Sequence, residues 1–104
     1  EFTVAPQILP VSGLPYHEWF IEFENKPDNL DEFAKKVDES LQEKNSYYYD
    51  LIVGKVLRPL KITLIKKGGF NNYMKSVGKL GGQNKVPRLA NDRKIADELI
   101  KFIE

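Results

Sequence analysis

Lys85 and Arg88 are separated by Val86-Pro87 and preceded by Gly81-Gly82-Gln83-Asn84. Two glycines free the backbone. Pro87 then fixes its own φ and biases Val86 toward an extended conformation. A loop built this way presents two cations from a constrained base. That suits side chains that must reach a phosphate or a carboxylate and stay there. The same spacing also fits a solvated surface turn, because short motifs recur by chance. The rest of the chain has to decide between the two.

Other chemistries are bounded by composition. The chain has no cysteine, which excludes disulfides, thiol nucleophiles and cysteine-based zinc sites. His17 is the single histidine. No histidine-pair metal site exists, and a Ser-His-Asp triad would have to use His17. Nothing in the sequence supplies His17 with a partner, so it reads as a strand-edge residue. Gly68-Gly69 is not a phosphate loop, since no Gly-Lys-Ser/Thr comes after it. No metal site is expected.

Net charge is only +1, yet the charges are segregated. Residues 1–50 carry eleven acids (Glu1, Glu18, Glu22, Glu24, Asp28, Asp31, Glu32, Asp38, Glu39, Glu43 and Asp50) against four bases. Residues 51–91 carry no acid and nine bases: Lys55, Arg58, Lys61, Lys66, Lys67, Lys75, Lys79, Lys85 and Arg88. A one-signed stretch of that length favours an anionic partner unless folding interleaves it with the acidic half. The tyrosines at 47–49 add a base-stacking reading. The aromatic-glycine signature of an RNA-recognition strand is absent, however, and core and rim packing accounts better for most of the triplet.

These residues must be positioned by one domain, since 104 residues support a single modest core. Residues 1–5 read as a short strand and 6–16 as a loop marked by Pro6, Pro10, Gly13 and Pro15. Trp19, Ile21 and Phe23 alternate with Glu18, Glu22 and Glu24, the pattern of a half-buried strand. Phe20 breaks the polar side. Leu30, Phe33, Ala34, Val37 and Leu41 fall at helical spacing behind capping Asp28-Asn29. Asp31–Lys35 and Glu32–Lys36 are i,i+4 pairs, so this helix's charges read as a solvated face. Asn45-Ser46 interrupts, and a second short helix closes near Gly54.

Leu60, Ile62 and Leu64 then alternate as a strand. Phe70, Tyr73, Met74, Val77 and Leu80 mark a helix ended by Gly81-Gly82. A further short strand fits between Val86 and Leu89. Asn91 or Asp92 caps a last helix with Ile95, Leu99, Phe102 and Ile103 inward. The order β-β-α-α-β-α-(β)-α predicts an α+β domain, a small mixed β-sheet with helices packed on it. No apolar run is long enough to span a membrane. Glu1-Phe2-Thr3-Val4-Ala5 has neither a start Met nor a signal-peptide pattern and reads as a strand entered from upstream chain, as in a piece of a larger protein.

Glu1-Phe2-Thr3-Val4-Ala5-Pro6, His17-Glu18-Trp19-Phe20-Ile21-Glu22-Phe23, Pro59-Leu60-Lys61-Ile62 with Gly69-Phe70, and Gln83-Asn84-Lys85-Val86-Pro87-Arg88 occur in this order. As an ordered set covering nearly the whole chain, they resemble the C-terminal domain of the auxin-responsive promoter family. Its plant members are acyl acid amido synthetases of the adenylate-forming superfamily. Bacterial relatives exist, and this chain is expected to be one.

The resemblance implies that residues 1–104 form a C-terminal lid on a larger N-terminal adenylation domain. It implies ATP and Mg2+ in the full-length enzyme and none bound by this domain alone. An acyl acid and an amine or thiol acceptor would be the substrates. It assigns a catalytic role to Lys85 and ATP/adenylate contacts to Gln83, Lys85 and Arg88. Asn84 departs from the family pattern, where an aromatic is usual, so no stacking contact is expected there. A cytoplasmic protein is expected. The competing reading is a free-standing basic α+β module for nucleic acid or another anion, and the resemblance disfavours nucleic acid.

Overall fold

Residues 2–8, 13–78, 88–90 and 92–104 are described in a computed structural model of the chain. Strand β1 (Phe2–Gln7) pairs antiparallel with β2 (Tyr16–Ile21), which pairs parallel with β3 (Lys61–Leu64). Helices α1 (Leu30–Lys44) and α2 (Ser46–Val53) connect β2 to β3; α3 (Gly69–Ser76) and α4 (Lys94–Leu99) come after it, with a 3-10 turn at Ile100–Phe102. The sheet is mixed and the domain α+β, as the residue pattern predicts.

Asn45 explains why α1 and α2 are two helices. It ends α1 and caps α2, its side-chain oxygen accepting from Tyr48 N at 3.1 Å. Asn29 caps α1 in the same way through Glu32 N at 3.0 Å. On α1's outer face one of the two expected pairs forms and the other shifts by one turn. Lys36 meets Glu32 at 3.3 Å, while Lys35 reaches Glu39 at 4.0 Å rather than Asp31.

Side chains alternate across a strand, so the register assigns two faces. Trp19, Ile21, Ile62 and Leu64 share one with Phe2 and Val4. Helices α1 and α2 cover it: Phe33 meets Phe23 edge-on at 5.5 Å and Tyr48 stacks on His17 at 5.6 Å. Thr3, Ala5, Glu18, Phe20 and Thr63 share the other, where Ala5, Phe20 and Ile65 bury against Phe70, Tyr73, Met74, Ala96 and Leu99. The expected half-buried strand is thus covered on both sides. Phe20, the residue that broke the polar side, is fully buried.

Two helix boundaries are corrected. Helix α3 stops at Ser76, short of the expected end, and the turn is made by Gly78 at φ 72°; Leu80 lies outside the described residues. The last helix begins beside Asp92, whose carboxylate accepts from Lys94 N at 3.0 Å, but ends before Ile103. Ile103 instead bridges Ile65 antiparallel, and Glu104 N donates to Leu64 O at 3.0 Å. The tail becomes sheet because that edge of β3 offers unpaired backbone groups.

Candidate functional site

Gln83 and Lys85 lie outside the described residues, as does the Gly81-Gly82 pair. Arg88, the third of the candidate residues, is described and exposed. Its carbonyl accepts from Val4 N at 3.0 Å, and Ala90 N donates to Val4 O at 2.8 Å. Leu89 therefore bridges Val4 in parallel along the free edge of β1. Of the short strand expected over Val86–Leu89 only residues 88 and 89 are described, and Leu89 makes an isolated bridge. The Arg88 guanidinium lies 4.7 Å from the centre of the Phe2 ring, and Phe2 stacks on Trp19 at 5.6 Å. So the segment that leads out of the Lys85 loop is held by two backbone bonds and one cation–π contact. A groove of about 320 Å³ opens beside it, lined by Val4, Ala5, Pro6, His17, Leu89 and Ala90.

The described cations of the acid-free stretch have no carboxylate close by. Among the described residues, Lys55, Arg58, Lys61, Lys66, Lys67, Lys75 and Arg88 make no ion pair within 4.0 Å. Four of them rest on rings instead: Arg58 and Lys61 on Tyr16, Lys66 on Phe102, Arg88 on Phe2.

Glu18 of β2 and Glu22 just after it act as fasteners for α3 and α4. Glu18 accepts from Arg93 at 2.8 Å and from the Thr63 hydroxyl, and Arg93 also reaches Asp97 at 3.5 Å. Glu22 accepts from Gly68 N at 3.0 Å and Phe70 N at 3.1 Å. It supplies the N-terminal cap that Gly68, with no side chain, cannot.

A buried polar cluster was missed in the sequence. Asp38 on α1 is 3% exposed, against the expectation that this helix's charges face solvent. It accepts from Gln42 Nε2 at 2.6 Å, from Leu60 N at 3.0 Å and from the Tyr48 hydroxyl. Its place one turn from both Ala34 and Leu41 was the available signal, since those are inner-face positions. Burial, and then the Asp38 hydrogen bond and charge, raise the Tyr48 pKa above the usual tyrosine value. His17 stacks on the same ring, and its burial lowers its pKa while Asp38 partly opposes the shift. Tyr48 is core; Tyr47 and Tyr49 are 74% and 48% exposed, so only one of the triplet fulfils the packing expectation. With three donors on Asp38, the cluster binds α1 to α2 and to the start of β3. Its chemistry is that of a structural joint.

No group of three His, Asp or Glu side chains suited to a metal ion occurs among the described residues, and no helix among them is long and apolar enough to cross a membrane.

Comparison with known proteins adds what geometry leaves open. The chain matches the GH3 family C-terminal domain over residues 1–94. No curated protein sequence matches it. Among solved structures it is similar to a GH3.15 acyl acid amido synthetase (TM-score 0.75, 24% identity) and to AtGH3.15 acyl acid amido synthetase in complex with 2,4-DB (TM-score 0.74, 23% identity). Each likeness covers 100% of this chain and 20% of the other, so the chain spans about a fifth of the length of those enzymes. At that identity the two likenesses establish the fold. The match across residues 1–94 establishes the family: this chain belongs to the GH3 family, as its C-terminal domain.

Proposed function

We propose that residues 1–104 are the lid domain of an ATP-dependent acyl-adenylating ligase of the acyl acid amido synthetase type. In this reading an N-terminal adenylation domain of the same chain binds ATP, Mg2+ and the acyl acid. The lid delivers Lys85 to the adenylation step and then rotates for acyl transfer to an amine or thiol acceptor. When the acid's carboxylate attacks the α-phosphate, negative charge must be carried on the phosphate oxygens and the leaving pyrophosphate. An ammonium group brought in where water is excluded stabilises that charge. Gln83 and Arg88 flank Lys85 and contact the adenylate. ATP and Mg2+ belong to the full-length enzyme, with none held by this domain alone, and the enzyme works in the cytoplasm.

The observation that carries the proposal is the family match over residues 1–94, which includes the whole Gln83–Arg88 motif. Two structural facts support it. The segment after the loop, residues 88–90, is tied to the edge of β1. Arg88 has no carboxylate partner among the described residues, which keeps its charge available to a polyphosphate. The test is the parent gene. Several hundred upstream codons with a nucleotide-phosphate loop, and acid-dependent ATP–pyrophosphate exchange lost on deleting residues 1–104, are expected. A gene that encodes no such neighbour would overturn the proposal.

A further inference from the structure

The acid-free stretch has a second concentration of charge, at the opposite end of β1 from Arg88. Arg88 docks on Phe2 at the start of β1. Tyr16 pairs with Gln7 at its end, about 17 Å away along an extended strand. At that far end Arg58 is held from three sides. Its backbone N donates to Pro15 O at 3.0 Å, and its guanidinium carbon lies 4.4 Å from the Tyr16 ring centre. Gly13, at φ 82°, backs the guanidinium so closely that a Cβ there would come to 3.0 Å from Nη1. Arg58 Nε is buried, with no hydrogen-bond partner among the described residues.

Lys61 brings a second cation to the same ring, its Nζ 5.3 Å from the centre. The register sets Lys61 opposite Glu18, yet Glu18 is committed to Arg93 and Thr63. Two cations therefore share one ring, and no described carboxylate lies within 4.0 Å of either. The quadrupole of a single ring compensates only part of the charge of two cations. Fixing a guanidinium before it has a counter-charge is what a preformed anion site requires. Its planar fork matches a phosphate or carboxylate, and the ammonium adds a point charge.

We propose that Tyr16, Arg58 and Lys61 form a binding site for a small oxyanion of the phosphate or carboxylate class, separate from the Lys85 loop. The site uses none of Gln83, Lys85 and Arg88, so it stands or falls independently of the ligase reading.

The test is a nuclear magnetic resonance titration of the chain at constant ionic strength, with inorganic phosphate, acetate and chloride as separate probes. The Arg58 Nε–H resonance and the Lys61 amide report the site. Saturable shifts there with phosphate or acetate, and none with chloride, are expected. A tenfold preference for phosphate would assign a phosphoryl ligand, and a preference for acetate a carboxylate. Arg58→Gln and Lys61→Gln should each weaken binding at least fivefold, and Lys75→Gln should leave it unchanged. Lys61 is exposed, so its variant keeps the test open if Arg58→Gln fails to fold. Shifts that never saturate, that spread evenly over all lysines, or that survive both substitutions would overturn the proposal.

Discussion

Against α1 and α2 the sheet presents Trp19, Ile21, Ile62 and Leu64. The buried carboxylate there, Asp38, is met by neutral donors: a phenol, an amide side chain and a backbone N–H. Against α3 and α4 it presents Ala5 and Phe20, and the carboxylates are Glu18, bound to a guanidinium, and Glu22, bound to a helix N-terminus. The first face is joined by a hydrogen-bonded cluster, the second by an apolar core with charge at its margins. A helix pair held to a sheet by neutral donors depends on the protonation states of its few titratable members. A pair held by buried hydrocarbon depends on volume. The segment after the candidate loop, residues 88–90, is tied to Val4 at the edge of β1.

The sharpest way to break this contrast is to remove volume. Phe20→Ala should cost about 3–5 kcal/mol in chemical denaturation, because the ring is fully buried and its neighbours come from three elements. A cost below about 1 kcal/mol would place the core elsewhere. Next comes Asp38→Ala, which strands the Tyr48 hydroxyl and Leu60 N and should cost about 3 kcal/mol. Adding Tyr48→Phe to it should cost less than the two single changes together, since the orphaned hydroxyl is gone.

The smallest effect is in pH. Tyr48 has a raised pKa, so above pH 10 the unfolded chain loses a proton that the folded chain keeps, and stability should fall as pH rises from there. Tyr48→Phe should flatten most of that limb, leaving a remainder from Tyr73, which burial also raises. His17 has a lowered pKa, so the unfolded chain takes up a proton first. Stability should therefore fall as pH drops below about 6.5, and His17→Phe should remove that loss. An unchanged acid limb in His17→Phe would remove His17 from the joint between β2 and α2.

The strands and the first two helices were legible because alternation and helical spacing are local signals. Asn45 could be read as an interruption for the same reason, since a short polar side chain caps the helix after it. What escaped depended on partners distant in sequence. The Glu18–Glu22 side of β2 looks solvent-facing until α3 and α4 cover it, and only Phe20 hinted at this. Asp38 looked like one more helix charge because its donors, Tyr48 and Leu60, lie ten and twenty-two residues away. The end of α3 was misplaced because Gly78 competes with Gly81-Gly82 for the same role, and sequence alone does not rank them. Of the candidate site, Arg88 was legible as a cation on a constrained loop. Its seat on Phe2 was not, since nothing local couples residues at opposite ends of the chain.

One assay bears directly on the proposed lid. In the full-length enzyme, acid-dependent ATP–pyrophosphate exchange should fall about 100- to 1,000-fold in Lys85→Ala, the loss typical of a missing electrostatic donor, with the thermal midpoint unchanged. Exchange within about twofold of wild type would mean that the charge at position 85 takes no part in adenylation.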